Sequence, residues 1–302
     1  MRAYEDIPQI CSAHVATQSS HYLAEGPTWD PTRECVWWVD IMAGTVNAGR
    51  LDGEQLVPIE QFEVPDTAGT VAVGTTGELL IAGTHHLYYR DNAGVLHAGR
   101  ELVSGHSRRF NDGKPDPLGR FIVGTAGPSE REQLLQLGER GNVTVVDNDL
   151  TLANGLAFNR AGDLLYTIDT LRQQIFVRRY DAQRGSFGRR HRFITFDVGL
   201  PDGCTTDADD HLWVAMWGEG VVLRISPQAT VVGRIPLPAP HVSCPAFVGP
   251  ELDTMVITTA TKELGEAELR EFPQAGHLFV AKPGVSGNPP HMWDPLLLAD
   301  HF

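Results

Sequence analysis

A short phrase of three residues recurs along this chain of 302 residues, with a different first residue in most copies. The copies are Glu25-Gly26-Pro27, Ala68-Gly69-Thr70, Asp112-Gly113-Lys114, Asn154-Gly155-Leu156 and Asp202-Gly203-Cys204, with a degenerate sixth at Cys244-Pro245-Ala246. Successive glycines lie 43, 44, 42 and 48 residues apart, and Pro245 follows the last of them by 42. A nearly fixed period of this size is typical of repeat proteins, in which each repeat is one structural unit.

The repeats share an internal order of turns and strands. A polar turn follows each phrase, and apolar runs that predict a second strand come next, at residues 36–39, 79–82, 121–123, 164–167, 212–215 and 255–258. Third strands are predicted at 86–89, 174–177, 221–223 and 277–280, and outer fourth strands at 56–59, 191–194 and 231–234. Four short strands per unit predict an all-β fold, a six-bladed β-propeller with four antiparallel strands in each blade.

No linker or shift in composition divides the chain, so we expect a single propeller domain over residues 1–302. The ring should close when the N-terminal run 13–17, or else the C-terminal segment, pairs into the last blade, because closure removes free sheet edges. Residues 129–137 have a helical pattern and are expected to form an insertion after the second strand of the third blade.

Charge and composition exclude several classes of partner. The net charge of −14 argues against nucleic acid and anionic membranes, since basic surfaces provide most of that attraction. The N-terminal residues lack the apolar run of a signal peptide, and no run reaches the roughly 18–20 apolar residues of a membrane span. We therefore expect a cytoplasmic protein, either a monomer or a small homo-oligomer. The four cysteines, Cys11, Cys35, Cys204 and Cys244, lack C-x-x-C spacing, which favours free thiols.

The first residues of the phrases predict a cation site. The innermost strand of each propeller blade lines a central channel, and each phrase is expected to precede that strand. Four first residues carry side-chain oxygens that should meet near one mouth of the channel: Glu25, Asp112, Asn154 and Asp202. Buried carboxylates need a neutralising partner, and hard oxygen ligands suit Ca²⁺, Mg²⁺ or Mn²⁺, with Zn²⁺ or Fe²⁺ left open. Asp-Gly and Asn-Gly are also ordinary turn sequences, but that explanation does not account for Glu25.

Longer stretches of the sequence resemble the SMP-30/gluconolactonase/regucalcin-like family of six-bladed propellers. The matching stretches are 24–30, 109–121, 124–125, 154–158, 163–169, 201–203, 212–215, 243–249 and 273–279, so the resemblance covers about residues 21–285. The long stretch 109–121 is the most specific of them. The resemblance implies a divalent-metal hydrolase whose substrate is a small sugar lactone.

The resemblance also implies roles for single residues. The family binds its metal through one Glu, one Asn and one Asp, which correspond here to Glu25, Asn154 and Asp202. The family's substrate-contacting Arg and Asn correspond to Arg109 and Asn111. Asn111, rather than the next residue along the chain, should therefore face the site, since side chains alternate along a strand.

One part of the family pattern is changed in this chain. Family members often have Met after the Gly-Thr pair and then an acidic substrate contact, whereas Ala126 follows that pair here. Glu130 is the candidate for this contact if the chain is shifted by one residue. The change leaves the identity of the sugar open more than the type of reaction.

We expect one divalent ion (Ca²⁺, Mg²⁺, Mn²⁺ or Zn²⁺) to act as a Lewis acid, and Asp202 to act as general base, in hydrolysis of an aldonolactone. Two other functions stay open: a metal-dependent hydrolase of organophosphates or non-sugar lactones, and a non-enzymatic calcium-binding regulator. Arg108 either favours an anionic sugar derivative or is a solvated neighbour of the site. Asp169 is a candidate for a water-mediated metal contact.

Overall fold

The repeats form six antiparallel sheets in the computed structural model, which describes residues 4–105 and 107–302. Strand β1 is Ala13–Val15, and blade 1 contains β2 (Ala24–Asp30), β3 (Cys35–Asp40), β4 (Thr45–Asp52) and β5 (Gln55–Glu63). Blade 2 contains β6 (Thr70–Val73), β7 (Leu79–Ala82), β8 (His86–Arg90) and β9 (Leu96–Glu101). Blade 3 contains β10 (Arg109–Pro115), β11 (Phe121–Ala126), β12 (Glu132–Leu137) and β13 (Val143–Leu150).

The second half of the ring repeats this order. Blade 4 contains β14 (Ala153–Phe158), β15 (Leu164–Asp169), β16 (Gln174–Asp181) and β18 (His191–Thr195), with the short β17 (Ser186–Phe187) beside β16. Blade 5 contains β19 (Leu200–Thr206), β20 (Leu212–Trp217), β21 (Val221–Ile225) and β22 (Val231–Pro236). Blade 6 contains β23 (Val242–Val248), β24 (Thr254–Thr259) and β25 (Phe279–Ala281).

The helical segments of the structure are short. They are α1 (Glu266–Glu271), α2 (Pro295–Leu298) and 3-10 turns at Glu139–Gly141 and Ala299–His301. Among the described residues, no helix is long and apolar enough to cross a membrane.

The ring closes through the N-terminal strand. Strand β1 pairs antiparallel with β25 as the outermost strand of blade 6, with His14 opposite Val280. The innermost strands β2, β6, β10, β14, β19 and β23 contact one another in turn, and β23 contacts β2. The predicted six-bladed propeller is therefore confirmed, and of the two predicted routes of closure the N-terminal one is correct.

The C-terminal segment has another place in the fold. It runs across the end of the ring where the innermost strands finish, with Gly287 beside Asp207 and Trp293 beside Gly74. Trp293 is fully buried there. Because all six innermost strands begin at the opposite end, this segment covers the end of the channel that lies away from the strand starts.

The predicted helical insertion at 129–137 is wrong. Residues Glu132–Leu137 are β12, the third strand of blade 3, which pairs with β11 on one side and β13 on the other. Glu, Gln and Leu favour helices in isolation, but propensity is a weak preference that tertiary contacts override. Here the strand completes the hydrogen bonds of two neighbours and buries Leu134, Leu135 and Leu137.

A β-bulge interrupts the innermost strand at the recurring phrase in five of the six blades. The pairing register shifts between Glu25 and Thr28, Phe110 and Gly113, Asn154 and Leu156, Pro201 and Cys204, and Val242 and Cys244. The phrase therefore lies within these strands and does not precede them, except in blade 2, where β6 starts at Thr70. A bulge adds a residue and re-aims the side chains beside it.

Glycine at the bulges has a steric reason in two blades. Gly26 and Gly155 have positive φ angles of 55° and 20°, where residues with a Cβ atom are strained. A Cβ atom on Gly155 would also lie 2.5 Å from the backbone oxygen of Asp202 in the next blade. The repeated glycine thus allows neighbouring blades to approach closely at the centre of the ring.

Candidate metal and substrate site

Five of the predicted site residues line one cavity of about 170 Å³ at the end of the channel where the innermost strands begin. They are Glu25, Arg109, Asn111, Asn154 and Asp202. Each is within the first three residues of its strand, in blades 1, 3, 4 and 5. The bulged strand starts therefore bring side chains from four distant segments of the chain to one point.

Two buried carboxylate side chains lie in this cavity and repel each other. Glu25 and Asp202 are buried, with exposed fractions of 5% and 6%. Burial, then the charge of Asp202, then that of Asp112, raises the pKa of Glu25 well above its usual range. Burial and the charge of Asp112 likewise raise the pKa of Asp202. Removing water from like charges makes the pair costly in the absence of a cation.

Asn154 lies beside Asp202 and is equally buried. Its side-chain amide donates a hydrogen bond to Asp202 Oδ1. A rotation of the amide by 180° would present the carbonyl oxygen of Asn154 to the same point, which is the orientation that a cation favours. Glu25, Asn154 and Asp202 can therefore offer three oxygen ligands of the kind that hard divalent cations take.

This set differs from a cluster of charged metal ligands. In the part of the chain that the structure describes, no group of three or more His, Cys, Asp or Glu side chains is arranged to hold a metal ion. The predicted set has two carboxylates and one amide. Three ligands of this kind leave open positions for water and substrate, as catalytic metal sites require.

Arg109 and Asn111 form a second pair in the cavity. Arg109 Nη1 donates to Asn111 Oδ1 at 2.6 Å and to the carbonyl oxygen of Phe110 at 2.8 Å. Burial lowers the pKa of Arg109 to about 10, opposed by the charges of Glu25 and Asp202. The guanidinium therefore stays charged at neutral pH and faces the carboxylates as a fixed donor.

The register within blade 3 places Asn111 and Asp112 in different cavities. Asn111 faces the site, whereas Asp112 lines a larger cavity of about 480 Å³ deeper in the channel. Lys114 crosses that cavity and donates to the carbonyl oxygen of Cys204 at 2.7 Å. The negative charge of Asp112 thus lies behind the site and acts on it at a distance.

Glu130 is not brought to the site. It is exposed on the turn between β11 and β12 and does not line the cavity. The buried acidic residue nearby is Glu132, the first residue of β12, which accepts from Thr125 Oγ1 at 2.6 Å and from Arg108 Nε at 3.1 Å. Glu132 therefore holds the turn and Arg108 in place.

Two aspartates of equivalent position support the strands that carry Glu25 and Asn154. Asp40, at the end of β3, accepts from the backbone nitrogens of Tyr22 and Leu23 at 2.8 and 3.0 Å. Asp169, at the end of β15, accepts in the same way from Thr151 and Leu152, at 3.1 and 3.4 Å. Each carboxylate fixes the two or three residues that lead into an innermost strand. Asp169 also pairs with Arg172 at 3.3 Å.

Other residues of the cavity wall lie outside the predicted set, among them Trp217, Lys262 and Glu263. Trp217 ends β20 and stacks on His241, with ring centroids 4.1 Å apart. Lys262 follows β24 on a loop, in the one repeat whose phrase lacks a glycine, so periodicity gave no signal for it. Its positive charge opposes the rise in the pKa of Asp202.

Comparison with known proteins shows which family this chain resembles. The family model described as "SMP-30/Gluconolactonase/LRE-like region" matches residues 23–261. The pentonolactonase XacC of Haloferax volcanii is 32% identical, with 88% of this chain and 93% of that protein covered. The 6-deoxy-6-sulfogluconolactonase of Pseudomonas putida is also 32% identical, with 88% and 92% covered.

A solved structure agrees with these matches. The crystal structure of regucalcin from Agrobacterium tumefaciens, described as a calcium-binding protein, superposes with a TM-score of 0.86 at 29% identity. The alignment covers 92% of this chain and 96% of that one. The predicted family and the predicted lactonase type of enzyme agree with these relatives. The chain belongs to the SMP-30/gluconolactonase/LRE-like family.

Proposed function

We propose that the protein is a divalent-metal-dependent hydrolase that opens a sugar lactone to the aldonic acid. The observation that carries this proposal is the pair of buried carboxylates, Glu25 and Asp202, that converge with Asn154 beside the guanidinium of Arg109. The relatives named as lactonases support the same type of reaction. Their names specify different sugars, so the class of substrate is narrowed below from residues of this chain.

Glu25, Asn154 and Asp202 fit a divalent cation that accepts oxygen ligands, such as Ca²⁺, Mg²⁺, Mn²⁺ or Zn²⁺. The raised pKa of both buried carboxylates supports this fit, because a nearby positive charge would relieve their repulsion. A bound ion would polarise the lactone carbonyl and acidify a water molecule. The calcium-binding description of the superposed regucalcin supports a divalent ion without deciding which one.

The side chains of this protein then perform the remaining tasks. Asp202 is the proposed general base, which takes the proton of the attacking water at a carboxylate oxygen. Arg109 donates hydrogen bonds to the oxygen on which negative charge develops, or to a sugar hydroxyl. Asn111 holds Arg109 in the orientation that this requires. Leu152 and Leu200 form part of the apolar wall of the cavity beside the reacting atoms.

Several expectations from the sequence stay predictions. They are the single domain over residues 1–302, the cytoplasmic location, and the monomer or small homo-oligomer. Glu130 is exposed and outside the cavity, so it has no role in the proposed reaction.

A panel of aldonolactones tests the proposal. Acid release is followed by pH indicator after exhaustive chelation and after addition of Ca²⁺, Mg²⁺, Mn²⁺ or Zn²⁺, with the spontaneous rate subtracted. We expect turnover that chelation removes and at least one metal restores, with a rise in melting temperature on metal binding. Unchanged turnover after chelation would refute the metal mechanism. Tight metal binding without turnover of any lactone or organophosphate would favour the regulator instead.

A further inference from the structure

A second open cavity of about 410 Å³ adjoins the proposed active site on its outer side. The two share part of their walls, including Arg109 and Lys262. We call this outer cavity the vestibule; its polar lining consists of Thr67, Thr84, Ser107, Thr151 and three basic residues, Arg108, Arg109 and Lys262. Arg109 and Lys262 therefore lie where the vestibule meets the site.

The charged side chains that line the vestibule are positive, although the protein as a whole is acidic. The chain carries a net charge of −14, yet among the described residues the vestibule wall has three cations and no carboxylate. A cleft lined by one sign of charge concentrates ligands of the other sign and speeds their association. Neutral sugars would gain little from this arrangement.

We infer that the preferred lactone carries an anionic substituent, a carboxylate, phosphate or sulfonate, at the end remote from the ester, and that Lys262 and Arg108 recognise it. This inference rests on the lactonase function proposed above and narrows its substrate class. The ester lies at Glu25, Asn154 and Asp202, and the anion lies in the vestibule.

Hydrogen bonds hold the backbone of Lys262, whereas its side chain is 34% exposed. Its backbone nitrogen donates to the carbonyl oxygen of Tyr22 at 2.9 Å, and its carbonyl oxygen accepts from His241 Nδ1 at 2.8 Å. Its ammonium group lies 5.9 Å from the ring of Trp217 and 3.1 Å from the exposed carboxylate of Glu263. An exposed pair of this kind is weak, so an incoming anion can replace Glu263 as the partner of Lys262.

Arg108 presents a guanidinium that is already oriented. Its Nε donates to Glu132 Oε2 at 3.1 Å, and its Nη2 donates to Ser129 Oγ at 3.1 Å and to the carbonyl oxygen of Arg131 at 3.2 Å. Glu132 is fully buried and does not line the vestibule. Within the described residues Nη1 makes no hydrogen bond, so it remains available to a carboxylate or phosphate oxygen.

Matched lactones separate this inference from the reaction itself. Gluconolactone is compared with 6-phosphogluconolactone and with the lactone of glucaric acid, at 20 and 300 mM salt with the active metal. We expect kcat/KM to be about tenfold higher for the anionic lactones at low salt and to fall with salt for them alone. The phosphate and carboxylate arms show which anion is preferred.

Variants assign the effect to the vestibule. Lys262→Gln should lower kcat/KM for the anionic lactones about tenfold more than for gluconolactone, and Glu263→Gln should raise that preference. Lys282→Gln, at an exposed lysine outside both cavities, makes the same change in net charge and should leave the preference unaltered. Because Arg108→Gln alone would leave Glu132 buried without its partner, Arg108→Gln is combined with Glu132→Gln, which should also reduce the preference.

Binding of the product acids provides a readout that needs no turnover. Calorimetry with 6-phosphogluconate should give a Kd about tenfold lower than with gluconate, and Lys262→Gln should remove the difference. Equal affinities, or a preference that Lys262→Gln does not change, would overturn the inference while hydrolysis of gluconolactone leaves the lactonase function standing. A protein that binds the phosphorylated acid tightly but hydrolyses no lactone would instead keep the anion site and refute the reaction.

Discussion

The side-chain amide of Asn111 donates a hydrogen bond of 3.0 Å to the carbonyl oxygen of Ala153, the residue directly before Asn154. The oxygen of the same amide accepts from Arg109 at 2.6 Å. One residue of blade 3 therefore fixes both the guanidinium of the site and the strand of blade 4 that carries a proposed metal ligand.

Replacing Asn111 should disturb both Arg109 and the strand that carries Asn154. Asn111→Ala leaves the buried carbonyl oxygen of Ala153 without its donor, which costs about 1–3 kcal/mol of stability, and frees Arg109 to move. We expect kcat/KM to fall by about 10²-fold, since small displacements of catalytic groups have effects of that size. Steady-state kinetics and urea unfolding measure the two effects. Asn142→Ala, at an exposed asparagine, is the control, and equal losses in both variants would contradict the role of Asn111.

Asp202→Asn should abolish lactone hydrolysis while the fold is kept. The variant removes the proposed base and one charged metal ligand, so we expect kcat to fall by about 10²–10⁴-fold or more. Initial rates measure the loss, and circular dichroism checks the fold. Asp197→Asn, at an exposed aspartate five residues earlier, is the matched control. Turnover close to that of the wild type in Asp202→Asn would exclude Asp202 from the reaction.

Asp40 should act on the site through the backbone. Both of its carboxylate oxygens accept backbone N–H groups, so Asp40→Asn turns an amide NH₂ group towards one of these donors. We expect a loss of about 1–3 kcal/mol in the free energy of unfolding and a fall of roughly 10-fold or more in kcat/KM as Glu25 shifts. Denaturant unfolding and kinetics test this against Asp52→Asn, an exposed position on β4. A stable variant with normal activity would rule out this support.

The buried ring of His21, which lies outside the site, should make the stability of the protein depend on pH. In the folded protein His21 Nδ1 donates to the carbonyl oxygen of Gly276 at 3.2 Å, and Nε2 accepts from Trp38 Nε1 at 3.1 Å, which requires a neutral ring. Burial lowers the pKa of His21 below its usual value of about 6.5. Below that pH the unfolded state binds more protons than the folded state, so this contribution to stability is present above pH 6.5 and decreases as the pH falls.

The difference in the free energy of unfolding between the wild type and His21→Gln measures the contribution of His21. We expect the wild type to be more stable by about 1–3 kcal/mol at pH 7.5, with the difference shrinking as the pH is lowered to 5.5. Urea unfolding at both pH values measures it, and His14→Gln, at an exposed histidine, provides the baseline. A difference that grows towards acid pH would show the ring to be charged in the folded state.

The strands were predictable because each repeat carries its own local pattern. All six predicted second strands lie within observed strands, from β3 in blade 1 to β24 in blade 6. The stretch around Glu132 was wrongly assigned as a helix, since its strand conformation comes from two neighbouring strands and not from its own residues.

The site was predictable only in part, for a physical reason. The phrases indicated Glu25, Asp112, Asn154 and Asp202, and the resemblance reduced this set to three. Neither predicted the bulges that aim these side chains, because register is a property of strand pairs. Asp40 and Asp169 both end second strands, and this shared position was a usable signal. No sequence signal marks Lys262, because it is brought to the site by a loop that hydrogen bonds to Tyr22, near the start of the chain.

The pairing of β1 with β25 determines when the molecule can finish folding. Blades 1 to 5 each draw their strands from one continuous stretch, so their hairpins form from neighbouring residues as synthesis proceeds. Strand β1 is made before the six blades but has no partner until residues 279–281 have been made. Contacts between such distant residues form slowly because a long loop must close. Until that pairing forms, the ring of the nascent chain is open, and its unpaired strand edges can pair with another chain.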